Sequence, residues 1–243
     1  MAEAVTNTET GYCDYNSLPE GSAYQGPIKV DIQEGQQGLH ISLRTAHLAI
    51  ETIRAQDIND YEALFTDERV MKTYASGEAK KAGEISKRIL GSWIPRWEKK
   101  DPFSGMVIRT HEGEFVGHIA MGYGDAMKYG DEDDGYSEIA YVIAEKHWDK
   151  GYGKEAVAAL VNGLAPKLIQ AGYTVGTCED SNGKEVVRQL PLKWIVATSR
   201  IDRDNNGELV NPASIKILTG LNFKCMSSEE KYGHQRGFFA LKV

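Results

Sequence analysis

Along the chain the apolar positions change their spacing several times, and each change marks an element. From Leu43, Leu48, Ile50 and Thr52 alternate with Ala49, Glu51 and Ile53, the period of two of a half-buried strand. Asp57 is a good N-cap for the helix that follows, in which Ile58, Tyr61, Leu64 and Phe65 share a face. A longer helical stretch is predicted from about Glu78 to Lys99, with Ile85, Ile89, Leu90 and Trp93 on one side, before Pro95 bends or ends it. Trp93 and Trp97 read as packing residues. Met106 to Arg109 and Glu114 to Met121 then form two strands joined by the Glu112-Gly113 turn.

The stretch from Ser137 to Ala156 carries the strongest signal. It reads as an apolar strand, Ile139 to Ala144, a polar turn, and a helix that begins at Gly151. Gly151 and Gly153 let the backbone approach a ligand closely, and the exposed N–H groups of the helix carry partial positive charge, which suits a phosphate. A Gly-x-Gly that serves only the turn is the plainer alternative. Beyond it, Ala156, Val157, Leu160, Val161 and Leu164 fall on one helical face that should pack on a sheet. Pro166 is placed to kink this helix and Gly172 to cap it.

Thr174 to Lys193 is too long for an ordinary helix-to-strand connection and reads as an insertion. Trp194 to Thr198 is the next strand, Asn211 to Leu218 the next helix, and Gly237 to Leu241 a closing strand. Residues 1–38, rich in Gly, Ser, Gln, Asn and Glu, read as an irregular arm that Tyr12, Tyr15 and Tyr24 could pack on the body. The acidic run from Asp131 to Gly135 reads as a solvated turn.

Composition narrows the class. With 243 residues the chain can bury a core without staples, as one domain with a tail and insertions near 174–193 and 202–210. Cys13, Cys178 and Cys225 are odd in number and far apart, which indicates neither a disulfide framework nor a zinc site. The N-terminus lacks the basic start and apolar run of a secretory signal, and no stretch approaches the ~20 apolar residues of a membrane span. A soluble cytoplasmic protein is expected. A net charge of −7 argues against nucleic acid as a partner and leaves open a basic substrate. The six histidines show no metal-ligand spacing. Asp202 to Leu209 matches the start of an EF-hand loop, but Ala213 stands where a bidentate Glu belongs, so a polar turn without metal is expected.

Three segments together resemble one known family. Trp148-Asp149-Lys150-Gly151-Tyr152-Gly153-Lys154 resembles the acyl-CoA pyrophosphate loop of GNAT superfamily N-acetyltransferases, Gln/Arg-x-x-Gly-x-Gly/Ala. Trp148 at the first position resembles the ribosomal-protein N-terminal acetyltransferase branch. Asn211-Pro212-Ala213-Ser214, followed by Leu221-Asn222-Phe223, is similar to the family's Asn-x-x-Ser/Ala and Leu-Gly-Phe. The strand and helix from Leu43 to Tyr74 resemble the opening of the same branch.

The resemblance implies a GNAT fold over residues 39–243: α/β (α+β), with a mixed, mostly antiparallel twisted sheet of about seven strands, split near Ala144, and helices on both faces. It implies acetyl-CoA as cosubstrate and transfer of the acetyl group to a primary amine, on a protein or peptide N-terminus or a small molecule, by direct attack. Glu138 would take the amine's proton; a surface carboxylate is the alternative. Val142, Ile143 and Ala144 would offer backbone groups to the pantetheine arm, residues Asp149, Lys150, Gly151, Tyr152, Gly153 and Lys154 would hold the pyrophosphate, and Asn211 and Ser214 would contact the arm. Residues near Tyr74 would touch the acceptor. The departure is Leu218, seven residues after Asn211, where many members place the Tyr that protonates the thiolate. Tyr141, Ser214 or water could replace it. Leu218 and the insertions also motivate a second reading, a non-catalytic acyl-CoA-binding protein. A homodimer paired through the last strands or the arm is compatible with the sequence, and no signal demands it.

Overall fold

The computed structural model describes residues 18–125, 130–181 and 184–243. Within them the chain runs β1 (Lys29–Gly35), β2 (Gly38–Arg44), β3 (Leu48–Thr52), α1 (Ile58–Thr66), α2 (Glu68–Met71), α3 (Glu84–Arg88), α4 (Ile94–Glu98), β4 (Gly105–Thr110), β5 (Phe115–Asp125) and β6 (Gly135–Ile143). It continues with α5 (Tyr152–Ala158), α6 (Ala165–Gln170), β7 (Thr174–Ser181), β8 (Lys184–Arg200), α7 (Pro212–Gly220), β9 (Lys224–Lys231) and β10 (His234–Lys242). The strands form one ten-stranded sheet in the order β1-β2-β3-β4-β5-β6-β8-β10-β9, with β7 attached to β5 and β8. Pairing is antiparallel except between β6 and β8 and between β5 and β7.

The sheet exceeds the expected seven strands for two reasons. Val30 and Ile32 alternate too briefly to stand out among polar neighbours, yet they pair in register with Leu43 and Ile41, so β1 lies inside the segment read as an irregular arm. The segment read as an insertion at 174–193 forms β7 and the first part of β8, an antiparallel hairpin from Thr174↔Pro191 to Ser181↔Lys184.

Alternation divides the sheet into two faces. His118, on β5, stacks under Trp93 at 4.5 Å and meets Tyr61 at 5.3 Å, which places α1 and the helix around Trp93 on one face. On the opposite face, Ile143 of β6 and Ile217 of α7 close around Gly153 of α5. Tyr61, Ile89, Ile108, Leu160 and Phe239 are fully buried, so each face has its own apolar filling.

Both long helices widen just before a proline. Residues 89–93 and 159–164 are π turns, and Pro95 and Pro166 follow at the second positions of α4 and α6. A proline cannot donate to the carbonyl four residues back and its ring crowds it, so the helix absorbs the defect as a wider turn rather than ending. The helix expected from Glu78 begins later, at Glu84, and passes through Pro95 to Glu98. The wider turn also shifts its faces, leaving Leu90 53% exposed while Trp93 and Trp97 are buried. Asp57 differs from expectation as well: its carboxylate accepts from Arg54 N–H at 2.9 Å and Arg109 Nη2 at 2.8 Å rather than capping α1.

The arm from Leu18 is seated. Thr219 Oγ1 accepts from Gly21 N–H and donates to Pro19 O, both at 3.0 Å, and Tyr24 Oη accepts from Ala46 N–H at 3.2 Å. A Cβ on Gly163 would stand 2.5 Å from Ile28 Cγ2, so the arm crosses the helix where it has no side chain. Tyr12 and Tyr15 lie outside the described residues.

One polar cluster locks α5 to the β2–β3 turn. The Glu155 carboxylate, 4% exposed, accepts from Thr45 Oγ1, from His47 N–H at 2.7 Å, and pairs with His47 Nδ1 at 2.9 Å. Burial alone would raise its pKa, but these bonds together outweigh burial and hold it below the ordinary value of 4.5. Its contribution to stability is therefore full above the unfolded pKa and lost as pH falls through the lower folded value. Glu155→Ala is expected to cost about 2 kcal/mol in urea unfolding at neutral pH, with the difference from the parent shrinking below pH 4.5.

Candidate active site

The central strands part within the sheet. β6 pairs with β8 only from Gly135↔Leu192 to Glu138↔Val196, whereas β6 itself runs on to Ile143. From Ala197 to Arg200, β8 keeps only its β10 partner. The gap therefore opens at Ile139 rather than near Ala144, five residues earlier along β6.

Register decides which backbone groups line this gap. Ala144 N–H donates to Val116 O at 2.9 Å, and successive residues of an antiparallel strand turn their N–H and C=O to opposite sides. Val142, opposite His118, therefore bonds β5 as Ala144 does. Tyr141 and Ile143 turn theirs into the gap. The expectation that Val142, Ile143 and Ala144 all present backbone groups is corrected to Tyr141 and Ile143. One of the latter is already engaged, because Trp148 Nε1 donates to Ile143 O at 2.7 Å.

The glycine turn sits beyond the end of β6. Gly151 has φ 79° and Asp149 φ 58°, and the first closed turn of α5 is Glu155 N–H to Gly151 O at 3.1 Å. The N–H groups of Tyr152, Gly153 and Lys154 precede that bond and have no carbonyl four residues back within the helix. The two glycines serve different ends. Space around Gly151 is open and its left-handed backbone is the constraint, whereas a Cβ on Gly153 would stand 3.0 Å from Ile217 Cδ1. Lys154 Nζ reaches Ser22 Oγ at 3.1 Å, and Lys150 Nζ lies 3.5 Å from His147 Nδ1; Asp149 and Lys150 are exposed.

Helix α7 faces the gap with its first turn. Asn211 Oδ1 caps it through Ser214 N–H at 3.3 Å, and Ser214 Oγ lies 2.8 Å from Tyr141 Oη. Burial pushes the Tyr141 phenol up to about 12, although Ser214 opposes the shift. Leu218 is fully buried in the core, so the departure noted in the sequence is a packing position here. Asn222 takes φ 65° after the helix, the left-handed cap that asparagine tolerates in place of glycine.

Glu138 lies at the base of the gap on the opposite face. Burial raises its pKa above 4.5, and the charges of Lys231, Arg236 and Arg88 act against the shift while Asp125 adds to it. Tyr74 is near enough to feel the same charge, and burial raises its phenol too. The loop before α3 is fastened to the sheet by three side chains: Arg200 Nη1 to Lys72 O at 3.1 Å, Arg236 Nη1 to Ala75 O at 3.1 Å, and His234 Nε2 to Ser76 O at 3.2 Å. His118 is a packed neutral residue, its pKa lowered by burial to about 3.

The EF-hand-like segment is satisfied internally. Asp202 forms a two-pronged pair with Arg200, and Asp204 Oδ1 accepts from Asn206 and Glu208 N–H at 2.9 and 3.0 Å. Among the described residues no group of three or more metal-ligating side chains converges.

Sequence reasoning did not select Trp148 as a donor, Tyr141 as a gap-lining backbone, or Arg200 and Arg236 as clamps. The apolar strand from Ile139 to Ala144 was visible, but which side β5 would take was not. Replacing the Trp148 donor by Trp148→Phe is expected to destabilise the chain by about 1 kcal/mol in urea unfolding and to speed amide exchange in the turn after β6.

The sequence over residues 47–207 matches the family model of the acetyltransferase (GNAT) domain. No curated protein sequence is significantly similar to the chain. Among solved structures, the fold is similar to the RimL ribosomal L7/L12 α-N-protein acetyltransferase in complex with coenzyme A, with TM-score 0.56 and 13% identity, covering 82% of this chain and 95% of that one. It is also similar to the ribosomal-protein-S5-alanine acetyltransferase from Vibrio fischeri, with TM-score 0.55, 13% identity and coverage of 83% and 96%. The spermidine N-acetyltransferase from Vibrio cholerae, in complex with coenzyme A and spermine, gives TM-score 0.53, 11% identity and coverage of 80% and 95%. A parted sheet, a glycine turn at a helix start beside it, and a family match across two thirds of its length agree: the chain belongs to the GNAT acetyltransferase family.

Proposed function

We propose that the protein is an acetyl-CoA-dependent N-acetyltransferase in which a primary amine attacks the thioester directly across the parting of β6 and β8. The observation that carries this reading is that the parting joins two faces of different chemistry. Glu138 stands on one, and Tyr141, Ser214 and the starts of α5 and α7 stand on the other.

The residues fit the cosubstrate. The gap offers the backbone of Tyr141 and the N–H of Ile143, which extended amides of a pantetheine arm can meet in the manner of an added strand. Asn211 keeps its amide nitrogen for such a contact while its oxygen caps α7. The turn at residues 149–154 supplies the N–H groups and two lysines for a pyrophosphate. When bound, acetyl-CoA supplies the carbonyl that the amine attacks and the thiolate that leaves.

Each proton has a place. Glu138, with its affinity for a proton raised by burial, accepts one from the amine directly or through water. Tyr141 holds its proton at neutral pH because its pKa lies near 12, and Ser214 fixes its hydroxyl at 2.8 Å. This arrangement lets Tyr141 donate to the thiolate where Leu218 cannot.

Thiol release from acetyl-CoA with a panel of primary amines tests the reading. Glu138→Gln is expected to lower kcat by about 10²–10³-fold and Tyr141→Phe by roughly tenfold or more, with coenzyme A affinity retained in calorimetry. The rate should rise with pH through a carboxylate titration above 4.5, and Glu138→Gln should remove that limb. Gly151→Val, which forces a branched residue to φ 79°, is expected to weaken coenzyme A binding. Tight coenzyme A binding with no turnover on any amine would instead select the non-catalytic reading, which the buried Leu218 motivates.

A further inference from the structure

The acceptor face of the parting has an unusual charge arrangement. Glu138 pairs in register with Val196, Val196 with Ala240, Thr198 with Phe238 and Arg200 with Arg236, so Glu138, Thr198 and Arg236 share one face. Lys231 pairs with His234, two residues before Arg236, and lies on that face as well. Arg88 reaches it from the covering helix, its Cζ 5.2 Å from the ring of Trp93, which stacks on His118.

None of these three cations forms an ion pair with a carboxylate among the described residues. Arg236 is only 5% exposed, and its guanidinium meets Ala75 O at 3.1 Å, Thr198 O at 3.3 Å, Thr198 Oγ1 and, 5.9 Å away, the ring of Tyr232, with no carboxylate in contact. Lys231 has the ring of Tyr232 at 5.6 Å, and Arg88 has Trp93. Arg200, by contrast, is neutralised by Asp202. The carboxylates nearby are Glu138 itself, Asp125, and Glu229 opposite Arg236 on β9. None of those carboxylates comes into contact with the three cations, and a buried guanidinium without a contacting carboxylate is costly to maintain. The arrangement makes sense where an anion arrives with the substrate.

We propose that the acceptor is an anionic amine: a small molecule whose primary amine meets Glu138 while a carboxylate or phosphate a few bonds away is held by Arg88, Lys231 and Arg236. The inference rests on the acetyl-transfer reading above and specifies its substrate class. Arginine suits either oxyanion through paired N–H donors, and lysine adds a mobile charge at the rim. The same field disfavours polycationic amines, whose second ammonium group would face like charge.

Thiol release compares β-alanine and O-phosphoethanolamine with uncharged n-propylamine and with spermidine, using the full chain and acetyl-CoA. At least one anionic amine is expected to exceed n-propylamine in kcat/KM by about tenfold or more, the two anionic arms separating carboxylate from phosphate. Arg88→Gln and Lys231→Gln, both at accessible positions, should narrow that preference by about tenfold through KM rather than kcat. Turnover that favours n-propylamine or spermidine overturns this inference and leaves acetyl transfer standing. Absence of turnover on every amine counts against the acetyl-transfer reading. Calorimetry with N-acetyl-β-alanine and N-acetyl-phosphoethanolamine then reads the anion site directly, and binding of neither, or binding indifferent to both substitutions, overturns the proposal by itself.

Discussion

The early end of the β6–β8 ladder is the constraint on which the rest depends. Two parallel strands that stay paired form a closed wall; these separate after Glu138 and Val196 because β8 follows β10 while β6 follows β5. The backbone groups that pairing would have consumed are left along one edge, a situation that buried polar groups tolerate only where water or a ligand satisfies them. The opening thus creates a need for hydrogen-bonding partners and a passage between the faces at the same place.

The elements around the opening are held by unlike means. Helix α5 is tied down by the Glu155 carboxylate on Thr45 and His47, a buried polar lock whose strength depends on ionisation. Trp148 ties the turn before it to the tip of β6 through a single donor. On the other face, arginines of β8 and β10 grip carbonyls of the loop after α2. The seated arm adds a brace across α7 that ordinary turns would not supply.

Much of the fold was legible because it rests on local periodicity. The alternation at Leu48–Thr52, the helical face from Ile58 to Phe65 and the glycine turn at Gly151 all became the elements their spacing implies. The misreadings have physical causes. Pro95 was expected to bend or end the helix; a π turn at residues 89–93 lets the helix continue through it and turns Leu90, expected on the packed side, outward. β1 was hidden because its apolar residues are few and their partners lie on β2.

The chain's own order of residues determined the chemistry available: a glycine in the left-handed position, an asparagine before a proline at a helix start, a carboxylate at the head of an apolar strand, and a leucine where a phenol was expected. Which of these meet was decided by tertiary structure alone. A strand's alternation says that neighbours point oppositely but not which side the next strand will occupy, and so Tyr141 rather than Val142 lines the gap. Likewise, Arg236 and Lys231 are roughly a hundred residues from Glu138 in sequence, and only the sheet order, β6 beside β8 beside β10 beside β9, sets their charges around one carboxylate.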